Sequence, residues 1–398
     1  MMQSFDIAIV GGATTGSILA LALSSATKHK LRIAIIEKSL PNYAEQGGFD
    51  ARSIALAYGS LQKLAQIQPL ASENLNAELS KIATDIQQIY VSDQGHFGKT
   101  MLSAAELKLT KLGVVVELAK LGEKLSAIIA QQPNIQYFCP DTVQNVTRNA
   151  QECYLDLTSG EQLRCQLLVA ADGIQSQLAK LCGVETKQLQ DYQQSAIIAN
   201  VQLSTPHNGQ AFERFTAQGP FALLPLTART MSLVWCVKDP PVQMTMNDEQ
   251  FLSALQQQFG WKLGRFEKVS KRFIYPLTLQ KAETHVHHRL AIVGNASQQI
   301  HPVAGQGFNL GMRDLFELTT LVGKAFSQGQ DIGEFTLLNQ YEQARNQDQT
   351  RIMQNTNGLI SLFCGECLPM QILRNLGLMG LSHCATLRKQ VAHQALGW

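Results

Sequence analysis

The chain has 398 residues, 16% of them charged, with 33 Lys and Arg against 31 Asp and Glu for a net charge of +2. That length calls for two or three cores, and so balanced a charge provides no basic field for nucleic acid, leaving small-molecule chemistry as the default. No apolar run reaches the eighteen or so residues that a membrane-spanning helix needs.

The first forty residues outline a β-α-β unit. Phe5 to Val10 is an apolar strand, GGATTG a turn, Ser17 to Ser25 a helix of small residues, and Arg32 to Glu37 a second strand. The dinucleotide fingerprint G-x-G-x-x-G falls on Gly11, Ala13 and Gly16, with alanine replacing the middle glycine. An alanine there is tolerated if its methyl points away from a pyrophosphate. Glu37 closes the second strand about twenty residues beyond the turn, where an acid bonds ribose hydroxyls. A plain exposed Glu is the alternative.

GGFDARSIAL, Gly47 to Leu56, reads as a loop entering a helix with Arg52 near its first turn. Arg52 there either reaches a phosphate or is solvated. From Leu61 to Leu112 the texture is mixed, with a strand at Ile89 to Ser92, as in an insertion. Helical spacing returns from Leu118 to Ile129, and a strand hairpin follows between Gln144 and Leu163. Leu167 to Ala171 is an apolar strand running into Asp172-Gly173. Asp172 then faces a ligand at the carboxyl edge of a sheet, or caps the next helix.

Successive short strands from Ala196 to Tyr275, broken by a helix at Asp248 to Phe259, predict an antiparallel sheet distinct from the parallel one. GNASQQIHPVAGQGFNLGMRD, Gly294 to Asp314, follows another apolar strand and leads into a helix near Gly307. Outward amides at such a helix start suit an anionic or electron-rich group, and Gly305 and Gly307 allow it a close approach. Taken alone it is also an ordinary surface loop. The remainder is helical, and Leu368 to Leu381 reads as a buried C-terminal helix or a segment lying on a membrane or partner.

The eight cysteines are scattered with no signal peptide ahead of them, so reduced thiols in a cytoplasmic protein are expected. The pair Cys364 and Cys367 reads as chance spacing on a helix. His285, His287 and His288 fall on two faces of a strand without flanking carboxylates, so no metal site is expected. The W-x-W-x-I-P segment of flavin halogenases is absent.

GGATTG with Glu37, LLVAADG, and AIVGN followed by HPVAGQGFN occur in an order that resembles the group A FAD-dependent aromatic hydroxylases. GFDARSIAL, VSDQGHFG and AFERFTAQGPFALLPL narrow the resemblance to their ubiquinone-biosynthesis branch. It implies an α/β fold: a Rossmann-like FAD-binding domain of the p-hydroxybenzoate hydroxylase type, an interleaved antiparallel β-sheet substrate domain and a helical C-terminus. The expected divisions are 1–70, 113–182 and 283–330 for FAD, 71–112 and 183–282 for substrate, and 331–398 for the helical region. FAD, NAD(P)H and O2 are the implied cofactors and a polyprenylated phenol the substrate. Other ubiquinone-biosynthesis proteins, the membrane surface and a homo-oligomer are compatible partners.

By that resemblance Gly11, Gly12, Ala13, Thr14, Thr15 and Gly16 would hold the FAD pyrophosphate, and Glu37, with Lys38 beside it, the adenosine ribose. Arg52 and Ser53 would reach the cofactor from the next loop, and Asp172 would serve the flavin and nicotinamide phosphates. Asn295 would face the ribityl chain, while Pro302, Gly305, Gln306, Gly307, Phe308 and Asn309 would cover the pyrimidine edge of the flavin. The broad group carries Asp at Asn295, His at Gln298 and Arg at Ala179, departures that the ubiquinone branch accommodates. His301 and the adjoining Pro302 are the catalytic candidates, His301 as acceptor of the phenol proton or as a merely packed side chain. Phe215, Phe221, Leu223 and Pro225 are expected to line an apolar passage for the prenyl tail, or else to be ordinary core strand.

Overall fold

The computed structural model describes residues 2–40, 42–43, 49, 52–239, 241–364 and 368–397. Among the described residues the α-helices are α1 (Thr14–Ala26), α2 (Tyr58–Leu64), α3 (Leu75–Ser80), α4 (Leu118–Ile129), α5 (Gln177–Leu181), α6 (Asp248–Phe259), α7 (Gln306–Ser327), α8 (Phe335–Cys364), α9 (Leu368–His383) and α10 (Ala385–Leu396).

A six-stranded sheet carries the dinucleotide unit, with Ile7–Val10 between Leu167–Ala170 and Ile33–Ile36. Leu290–Ile292 and Ile135–Phe138 extend it on either side, all in parallel, and Val286–His287 closes one edge antiparallel. These strands are continuous apolar runs because both faces are covered. On one face α1, whose residues Gly16–Ser24 are all buried, packs with α4 and α7. On the other lies a four-stranded sheet built from Gln3–Ser4, Gln162–Cys165, Cys153–Leu157 and Val143–Arg148, three strands where a hairpin was expected in the last part.

The predicted antiparallel strands form most of a second, nine-stranded sheet, in which Gln210–Thr216 and Gln88–Asp93 pair in parallel. Thr186–Leu203 and Phe273–Ala282 run through its middle, and Gln88–Asp93 and Lys99–Ser103 from the earlier insertion join its far edge. One face packs on α6, whose start is fixed by a capping box between Asn247 and Gln250. A three-stranded sheet of Ser53–Ala57, Gly113–Glu117 and Thr84–Ile86 links the two systems.

Ser53–Ala57 corrects the expected helix after Arg52. This segment pairs antiparallel with the fully buried Gly113–Glu117, with Leu56 buried and its other side chains half-buried, and the helix starts only at Tyr58. The C-terminal reading also changes. α9 buries one edge, where Arg374 bonds Asp93 at 2.7 Å and Asn375 accepts from the Gly98 amide at 2.7 Å. Its other edge leaves Ile372, Leu373, Leu376 and Met379 between 44% and 60% exposed, so it is not a wholly buried helix. No helix among the described residues is long and apolar enough to cross a membrane.

Candidate active site

The glycine turn forms because three chain segments approach more closely than a side chain allows. Gly11 has φ of 102°, and a Cβ there would lie 2.4 Å from the Ala171 carbonyl oxygen. A Cβ on Gly16 would meet the Gly11 oxygen. The turn therefore sits directly on the end of the strand that carries Asp172. Ala13 is the N-cap of α1, exposed, and makes no side-chain cap, so the first amides of a thirteen-residue helix are free of side-chain acceptors. Thr14 and Thr15 are half-buried in that first turn. Thr15 also lies under Gly294, at 2.8 Å from where its Cβ would be.

Glu37 bonds the turn itself. Its carboxylate accepts the Gly12 amide at 2.7 Å and the Ser39 amide at 3.2 Å. Lys38 is exposed beside it. Tyr137, which the sequence offered no reason to select, donates to the Gly12 carbonyl at 3.0 Å from the neighbouring strand. Burial pushes its phenol well above the usual range, with Glu37 adding to the effect.

Asp172 is not the cap of the next helix. Ser176 takes that role, accepting from Ala179, while one Asp172 oxygen accepts the Leu178 amide at 3.2 Å. The other oxygen is buried without a partner among the described residues, and burial raises the carboxyl's pKa. Ala179 is buried in the core beside Leu178 and Cys182, so the missing arginine has no surface position there.

Around the loop from Gly294 to Asp314, Asn295 is exposed at a short 3-10 turn and Gln298 is buried with neither amide atom partnered among the described residues. The Gly294 amide donates to Asp314 at 3.0 Å, and Asp314, fully buried, accepts from Arg345 at 2.7 Å and Gln349 at 3.2 Å. His285 joins this network, lying 3.3 Å from Glu342 and bonded to Gln349. A carboxylate thus reaches His285 from α8, which the strand alone could not reveal.

Gly305 adopts a left-handed conformation with φ of 61° at the start of α7, and Gly307 lies in the first turn. The side chains that follow are already engaged. Asn309 accepts from the Ala57 amide and Ser60 hydroxyl at 2.9 and 2.8 Å, and donates to the Ala55 and Gly305 carbonyls at 3.0 and 2.8 Å. Gln306 donates to Ala395 of α10 at 3.1 Å, and Phe308 packs on the core beneath the six-stranded sheet. Their side chains fix the loop, which leaves its backbone as the part able to meet a flavin.

Arg52 reaches the second system, donating to Tyr275 at 3.1 Å, and the buried hydroxyl of Ser53 has no partner among the described residues. His301 is wholly buried, with its Nε2 3.2 Å from the Gln194 amide oxygen and its ring edge-on to Tyr192 at 5.0 Å. Burial alone lowers its pKa to about 4. Pro302 is half-buried, and Val303 joins an apolar cluster with Phe215, Ile360 and Phe363. Phe215 stacks on Phe363 at 3.7 Å.

Phe221, Leu223 and Pro225 do not share that face. They stand opposite Trp235, Leu233 and Met231, all members of the core against α6, and Phe221 and Leu223 are themselves fully buried there. Alternation sends them away from Phe215, so they are core. Gly47, Gly48, Asp50 and Ala51 lie outside the described residues, as does Cys367 with its proposed spacing.

The donors and vacancies in hydrogen bonding fit FAD. The helix start on a glycine turn has no side-chain cap, an acid stands at the second strand end, and buried atoms of Asp172, Ser53 and Gln298 have no hydrogen-bond partner among the described residues.

Fold and sequence relatives together place the chain among the FAD-dependent monooxygenases. The chain belongs to the family described as FAD binding domain, whose model matches residues 4–356. It is 32% identical over 394 residues to the ubiquinone hydroxylase UbiL of Rhodospirillum rubrum, covering 98% of this chain and 89% of that protein. It is 30% identical to the 3-demethoxyubiquinol 3-hydroxylase of Escherichia coli, covering 99% of both. The structure of p-nitrophenol 4-monooxygenase PnpA from Pseudomonas putida shares the fold with a TM-score of 0.80, at 14% identity over 99% of each chain.

Proposed function

We propose that the protein hydroxylates the ring of a polyprenylated phenol in ubiquinone biosynthesis, taking 2-octaprenyl-6-methoxyphenol to 2-octaprenyl-6-methoxy-1,4-benzoquinol. The observation that carries this reading is the buried His301, edge-on to Tyr192, which packs on the apolar cluster of Phe215, Phe363 and Val303. The names of its relatives, ubiquinone hydroxylase among them, support the substrate class. FAD, when bound and reduced by NAD(P)H, supplies the activated oxygen.

The protein's own groups hold and shield. The start of α1 with Gly11 and Gly12 would hold the pyrophosphate, Glu37 the ribose, Asn295 the ribityl chain, and the backbone around Gly305 the flavin edge. The aromatic wall keeps water from the ring while His301 accepts the phenol proton. The exposed apolar edge of α9 suits a peripheral position on the inner face of the membrane, where a prenylated substrate resides.

Hydroxylation at another ring position is the second reading, favoured by the full-length match to a 3-hydroxylase. The precursor that accumulates in a strain lacking the protein, identified by mass and ring substitution, separates the two. Accumulation of neither phenol, with normal quinone levels, would refute both. A flavin-bearing structural subunit would instead support quinone formation after FAD binding is abolished.

A further inference from the structure

The strand Thr186–Leu203 is irregular where it passes His301. Its register against Phe273–Ala282 shifts between Asp191 and Ser195, and Gln193 takes a φ of 52°. Such a bulge re-aims the side chains around it. Here it brings Tyr192 and Gln194 to the same imidazole. The Tyr192 hydroxyl donates to Asn357 at 2.6 Å, leaving its ring against His301.

The Gln194 amide has only one orientation that satisfies both of its contacts. Its nitrogen lies 2.8 Å from the Gln218 carbonyl, which can only accept, so the oxygen is the atom turned toward His301. An amide oxygen cannot donate. The ring nitrogen facing it, Nε2, therefore carries the hydrogen, and Nδ1 holds the lone pair. Nδ1 is buried and meets no hydrogen-bond partner among the described residues.

We propose that Gln194 is a positioning residue that holds His301 as the Nε2–H tautomer and so makes Nδ1 the nitrogen that accepts the substrate proton. This rests on the reading of His301 as proton acceptor given above. In the step, the phenol O–H bond breaks, its electron pair stays on oxygen and the proton joins Nδ1. The resulting imidazolium still donates from Nε2 to Gln194. The titratable group facing the ring is Tyr192, tied off at Asn357, and burial is the one influence that moves the imidazole. Gln194 is itself buried, at 6% exposure, so water does not compete for its oxygen.

The test uses the FAD-loaded enzyme labelled with nitrogen-15 histidine, the His301 signals being assigned by their loss in His301→Asn among nine histidines. The expected spectrum at neutral pH has a pyridine-type Nδ1 and a pyrrole-type Nε2. In Gln194→Met the tautomers mix and kcat falls roughly 10- to 100-fold at unchanged FAD content and KM. In Gln194→Glu the tautomer is kept, and the acid limb of the kcat profile moves up by about one pH unit or more because a carboxylate favours the imidazolium. An Nδ1–H tautomer in the wild type overturns the proposal whatever the kinetics. An Nε2–H tautomer with full kcat in Gln194→Met overturns the proton-acceptor reading of His301 and leaves the tautomer assignment intact.

Discussion

The carboxylate of Glu37 holds the amide of Gly12 at 2.7 Å, so the acid that ends one strand also fixes the turn that ends its neighbour. Glu37→Gln keeps the length of the side chain but loses the charge-assisted acceptor. About 1.4 kcal/mol of cofactor binding should be lost, a tenfold weaker FAD affinity. Fluorescence titration of the apoprotein with FAD measures it, and an unchanged Kd would remove Glu37 from the cofactor site.

The turn tolerates side chains unequally. A Cβ on Gly12 would lie 2.1 Å from the Tyr137 hydroxyl, whereas one on Gly11 would meet main-chain atoms of Ala171. Gly12→Ala should cost roughly 1–3 kcal/mol by overpacking. Tyr137→Ala in the same chain makes room and should restore part of the thermal midpoint and FAD content. The same rescue should fail for Gly11→Ala, because a carbonyl cannot be trimmed.

Burial keeps His301 neutral in the folded protein down to about pH 4, against 6.5 for the free side chain. The unfolded chain binds this proton first, so stability falls as pH drops from about 6.5 to about 4 and levels off below. The size of the effect is roughly 3 kcal/mol at most. Urea unfolding of wild type and His301→Gln across that window should show a shallower loss in the variant. Parallel curves would contradict it.

Asp314 and Arg345 form an ion pair with no solvent on the carboxylate. Arg345→Met leaves that charge buried and should cost about 3–5 kcal/mol. Adding Asp314→Asn should recover most of the loss, since the amide oxygen still accepts from Gly294. Denaturant midpoints of the two single variants and the double variant close the cycle.

α9 turns Ile372, Leu373, Leu376 and Met379 outward. Leu373→Glu with Leu376→Glu should reduce flotation with anionic phospholipid vesicles several-fold, by the usual cost of withdrawing apolar area from the interface. Equal flotation would place any membrane contact elsewhere.

The parallel sheet and the helix of small residues were legible because strand, turn and helix follow one another within forty residues. Asp172 and Glu37 were legible by position, each standing at a strand end. The face of FALLPL was not: both sides of that strand are buried, so apolar content carries no direction, and only pairing with Trp235 and Leu233 decides it. The strand Ser53–Ala57 was not legible, because its alternation of Ser and Ala with Ile54 and Leu56 fits either structure until Gly113–Glu117 is laid beside it. Tyr137 and Gln194 were invisible because their contacts close over 125 and 107 residues of chain.

Asn309 bonds Ala55, Ala57 and Ser60 with one amide group. The loop at the flavin edge and the strand that follows Arg52 are thus clamped into a single mechanical part. Any movement that opens the flavin edge must carry Arg52 with it, and through Tyr275 it must pull on the floor of the second sheet. The clamp thus couples the loop before α7 to a residue of the second sheet through Asn309, the backbone from Ala55 back to Arg52, and the Arg52 side chain.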